Sequence, residues 1–76
     1  MPSRNRAQLE RLRFIDFMLE HHGTIRRHMI MDYFGLSMPQ ASHDIQAYID
    51  MAPNNIAYDR SLRIYMRTST FARALP

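Results

Sequence analysis

Seventy-six residues, 46% of them hydrophobic, suffice for one small core but not for a deep catalytic cleft beside it, so an enzyme is not expected. The absence of cysteine excludes disulfides and thiolate zinc sites, and no apolar run is long enough to span a membrane. A formal net charge of +3 permits an anionic partner without demanding one.

Residues 1–6 are polar and read as a flexible arm carrying Arg4 and Arg6. The opening MPSRNRAQ has no apolar stretch behind its basic residues, so it is not a signal peptide, and a cytoplasmic location is expected. From Ala7 to about His21, Leu9, Leu12, Ile15, Met18 and Leu19 recur near helical spacing. Phe14 widens that stripe and Phe17 falls on the other side. Gly23 ends this first helix, with His21 and His22 at the favourable end of its dipole.

Thr24 reads as the N-cap of a second helix over about Ile25 to Phe34, broken by Gly35. Ser37 then caps a third helix with Pro39 in its first turn, running to about Asp50 or Met51. Ala41, Ile45, Tyr48 and Ile49 form its core stripe. After the turn cluster Pro53-Asn54-Asn55, Ile56 to Tyr58 and Leu62 to Arg67 read as two strands around Asp59-Arg60-Ser61. The tail from Thr68 to Pro76 has no clear period. The fold class expected is mainly α with a small β-hairpin, a winged helix-turn-helix of three helices plus wing in a single domain over 1–76. Within it, residues 24–51 form the helix-turn-helix, 55–67 the wing, and 68–76 a tail or a link to a further domain.

A capped helix, the tight turn Gly35-Leu36-Ser37 and a longer capped helix are the layout in which the second helix enters the DNA major groove. With Ala41 and Ile45 facing inward, Pro39, His43, Gln46, Ala47 and Asp50 face outward, and Gln40 and Ser42 lie on the flanks. Met38, Gln40, Ser42, His43 and Gln46 are the expected base-reading residues. That helix carries no Lys or Arg, so attraction to the phosphates must come from elsewhere. Arg26, Arg27 and Ser37 at helix starts, Arg60 and Arg63 on the wing with Arg67 behind them, and Arg4 and Arg6 on the arm are the expected backbone contacts. The expected partners are double-stranded DNA with an inverted-repeat operator and a second copy of the chain. No cofactor or metal is expected, because His28 and Asp32, four apart, lack a third ligand. The alternative is a protein-interaction module presenting Leu9, Phe14 and Phe17.

The run from Arg11 to Phe71 resembles the N-terminal winged helix-turn-helix of WYL-domain transcriptional regulators, of the group found with BREX and CBASS phage-defence systems. The resemblance rests on Arg11-x-x-Phe14-Ile15, Gly23-x-Ile25-x-Arg27, Phe34-Gly35-Leu36-Ser37, Gln40-Ala41-Ser42-x-Asp44, Tyr48, Pro53-x-Asn55, Tyr58-Asp59, Tyr65 and Phe71. It covers about residues 9–72 and implies a dimeric repressor of its own defence locus, with a ligand-sensing WYL domain after the winged helix. No such domain lies within Met1 to Pro76, so the chain answers either to an excised DNA-binding domain or to a short relative.

Overall fold

Leu12, Ile15 and Leu19 recur at helical spacing and are fully buried on one face of α1 (Arg6–His22). The computed structural model describes residues 6–76, so Arg4 and most of the expected arm lie outside the described residues. Gly23, at φ 79°, ends the helix by donating its N–H to the carbonyls of Met18 and Leu19, both at 3.1 Å.

Thr24 does not cap the second helix. Thr24–Ile25 form a short strand, β1, and α2 (Arg27–Phe34) begins later, with Arg26 at its N-cap position and no side-chain cap bond. The reason is energetic. Extended backbone at this point pairs Thr24 with Met66 and Ile25 with Tyr65, and buries the Ile25 side chain completely. Burying an isoleucine is worth about 1.5–3 kcal/mol, more than the roughly 1 kcal/mol of a threonine cap.

Gly35 closes α2 in the left-handed region (φ 68°, ψ 45°), its N–H and that of Leu36 both turning back to the Met31 carbonyl. α3 (Met38–Met51) starts as its residues require: Ser37 Oγ accepts from the Gln40 N–H at 3.3 Å, and Pro39 occupies the first turn. Ala41, Ile45 and Tyr48 face the core as expected, but the fourth fully buried member of that face is Asp44, and Ile49 is half-buried.

The two expected strands are β2 (Ile56–Asp59) and β3 (Ile64–Arg67), and β1 makes them a three-stranded antiparallel sheet in the order β1-β3-β2. Asp59 pairs with Ile64, so the connecting turn is residues 60–63 and Leu62 belongs to it rather than to the strand. Asp59 Oδ1 accepts from the Leu62 N–H at 3.0 Å, and Arg63 takes φ 56° to bring the chain back into register.

The tail, which carried no period, is held by side chains instead. Asn55 clamps Ala72 through both ends of its amide, donating to the carbonyl at 2.8 Å and accepting from the N–H at 3.0 Å. Asp16, buried within α1, accepts from the Ala74 N–H at 3.1 Å and from the Tyr48 hydroxyl at 2.5 Å. Burial, reinforced by that bond to Asp16, pushes the Tyr48 hydroxyl above the ordinary tyrosine range. Phe71 and Leu75 complete the contact against the core.

Candidate nucleic-acid interface

α3 buries Ala41, Asp44, Ile45 and Tyr48, so the residues between them must point away from the core. Met38, Pro39, His43, Gln46 and Asp50 are exposed, whereas Ala47 packs partly against the core. Gln40 and Ser42 are half-buried at the flanks, where the helical projection puts them.

Several of these side chains already have partners within the chain. The Gln40 amide nitrogen donates to Asp44 Oδ1 at 3.2 Å, and Gln46 donates to Asp50 at 3.0 Å. Ser42 Oγ accepts from Arg27 Nη1 at 3.2 Å, which ties the start of α2 to the outer flank of α3. Met38, 52% exposed, stands at the first position of α3 as an apolar surface a thymine methyl can meet. Ser37 is exposed, its hydroxyl turned back to the helix it caps.

The cations come from separate elements. Arg26 and Arg27 open α2, and Arg63 sits in the wing turn, yet the three line one groove with His28, Met31, Met38 and Leu62. Positive side chains thus border the N-terminal end of α3 on two sides, and the α2 N-terminus adds the positive end of its dipole. Arg60 is exposed at the wing turn, and Arg6 is exposed at the first described residue of α1. Arg67 is engaged elsewhere. Its guanidinium donates to the Glu20 carbonyl at 2.7 Å, closing the C-terminal turn of α1, so it acts as a structural cap there.

Two features escaped the sequence reading. Leu62, read as the first residue of the second strand, is 61% exposed in the wing turn and lines the groove together with Met38. Asp44, fully buried, pairs with Arg11 Nε at 2.5 Å across the α1–α3 contact. The signal for the second was an acid lying between the core positions Ala41 and Ile45, where a charge persists only if it is paired.

Among the described residues no helix is long and apolar enough to cross a membrane, and no group of three or more His, Asp or Glu converges to hold a metal.

Against known proteins, residues 7–75 match the family described as the BrxR transcriptional regulator winged helix-turn-helix domain. Similar curated proteins carry the name DNA-binding transcriptional repressor CapW. That of Escherichia coli (strain KTE188) is 47% identical over 65 residues, covering 86% of this chain and 22% of the relative. That of Pseudomonas aeruginosa is 44% identical over 70 residues, covering 92% of this chain and 23% of the relative. That of Stenotrophomonas maltophilia is 44% identical over 65 residues, covering 86% and 22%. The chain therefore spans less than a quarter of the length of these relatives. With the three helices, the antiparallel sheet and the Gly35 turn in place, and the match running over nearly all of the described residues, the chain belongs to the BrxR transcriptional regulator winged helix-turn-helix domain family.

Proposed function

We propose that the chain binds double-stranded DNA with α3 in the major groove and acts as a transcriptional repressor, in the cytoplasm, of a phage-defence locus. The observation that carries this reading is the groove at the N-terminal end of α3, where Arg26, Arg27 and Arg63 from two other elements surround the exposed Met38. His43 and Gln46 supply polar ends along the outer face, and Arg60 and Arg63 follow the backbone from the wing. Arg6, with Arg4 preceding it, extends the cationic surface. The repressor names of the similar proteins point the same way. A homodimer on an inverted-repeat operator is the expected assembly, since paired recognition helices read two half-sites one DNA turn apart.

The experiment is binding to duplex DNA at a series of salt concentrations. Each phosphate neutralised adds about 0.9 to the slope of log affinity against log salt. Arg26→Ala and Arg60→Ala are each expected to weaken binding to every duplex alike and to flatten that slope by about one unit. Unchanged slopes in both variants would mark these arginines as ordinary surface.

A second reading has its own observation. Phe14, Phe17, Tyr33 and Phe34 line an apolar groove between α1, α2 and the tail, which is a surface suited to protein contact. Binding that ignores salt and survives the arginine substitutions would favour it.

A further inference from the structure

Asp44 has no exposure, and both of its oxygens are occupied. Oδ2 accepts from Arg11 on α1, and Oδ1 accepts from the Gln40 amide nitrogen one turn earlier on α3. A carboxylate between two donors can only accept, so it admits the nitrogen end of that amide and rejects the oxygen end. The chain thereby decides which way a half-buried glutamine near the start of α3 is turned.

That choice has a chemical consequence. The amide nitrogen carries two hydrogens, so giving one to Asp44 leaves the second N–H and the carbonyl oxygen for another molecule. One donor beside one acceptor is the pattern that pairs with N7 and N6–H of adenine in the major groove. An unheld glutamine samples both orientations and loses more rotamer freedom on docking. The Gln40 backbone is also fixed, since its N–H bonds to the Ser37 cap.

We propose that Asp44, held by Arg11, is a positioning residue that orients the Gln40 amide to read an adenine. This rests on α3 being the helix that enters the major groove. The test is selection of duplexes from a randomised pool by the full chain, followed by sequencing of the bound fraction. The unmutated chain should enrich adenine at one position, and Gln40→Ala should remove that enrichment alone. Asp44→Asn lets position 44 present either an oxygen or a nitrogen to Gln40. It should cut the adenine preference about tenfold, the size of one good base contact, and leave the other positions unchanged.

A loss spread evenly over all positions, or an untouched adenine, overturns the proposal while leaving the recognition-helix reading standing. A pool from which the unmutated chain enriches nothing overturns both. If Asp44→Asn fails to fold, the Gln40 side-chain amide of the unmutated chain decides, assigned by its disappearance in Gln40→Ala. Two well-separated amide protons with slowed exchange support the proposal. An amide that behaves like that of a free surface glutamine overturns it.

Discussion

Asp16 accepts hydrogen bonds from Tyr48, Ala74 and Leu75 while almost wholly excluded from solvent. Removing it leaves the Tyr48 hydroxyl, which still accepts from Asn55 Nδ2 at 3.1 Å, without an acceptor for its proton and frees two tail N–H groups. Asp16→Ala is therefore expected to cost about 3 kcal/mol, measured by urea denaturation. A loss under about 1 kcal/mol would show that water replaces the carboxylate without penalty. The Tyr48 hydroxyl at the centre of this network also sets an alkaline limit. Its folded-state value lies above the ordinary 10.0, so the unfolded chain releases the proton first as pH rises. Stability from this source is complete below pH 10 and is lost above it, at up to about 1.4 kcal/mol per pH unit. Urea titrations at pH 9 and pH 11 should differ accordingly (about 1 kcal/mol or more), with a smaller difference in Tyr48→Phe.

Among the elements, the turn between α2 and α3 was legible because its chemistry is local. A Gly closing one helix and a Ser opening the next specify the backbone without help from elsewhere. Gly35→Ala tests this cleanly. A Cβ there would meet nothing within 4 Å, so only the left-handed backbone is penalised, by about 1–2 kcal/mol in thermal or urea unfolding. A neutral result would mean the turn relaxes out of that conformation. The start of α2 was not legible, because β1 exists only where β3, some forty residues later, offers its edge to Thr24 and Ile25. The same distance effect hid half of the candidate site. Exposure of His43 and Gln46 followed from helical projection. The internal bonds of Ser42 and Arg67 did not, since each partner lies on another element, and that of Gln40 ends on Asp44, a buried acid outside the core stripe read from the sequence.

At the scale of the whole molecule, α1 carries more apolar surface than one core consumes. Phe14 is partly covered, stacking on Tyr33 with centroids 4.6 Å apart and meeting Phe34 edge-on at 5.4 Å. Phe17, by contrast, remains 53% exposed and Tyr33 70% exposed, along a groove of about 1060 Å³ that Leu75 of the tail also borders. Of the residues lining the basic groove at α3, only His28 is shared with this one, so a partner seated here leaves the proposed DNA-reading face open. The chain measures 35 × 24 × 19 Å, and a two-fold pair of bodies that size can set its α3 helices about 34 Å apart, one turn of DNA. Self-association through this groove is therefore expected, with a small buried area and correspondingly modest affinity. Sedimentation equilibrium should show the mass rising with concentration from 9.1 kDa toward twice that value. Phe17→Ser should remain a monomer at every concentration and bind one half-site as well as the unmutated chain does, while losing the advantage of two half-sites. A chain that stays monomeric throughout would overturn self-association, and a Phe17→Ser variant that dimerises unchanged would place the contact outside this groove.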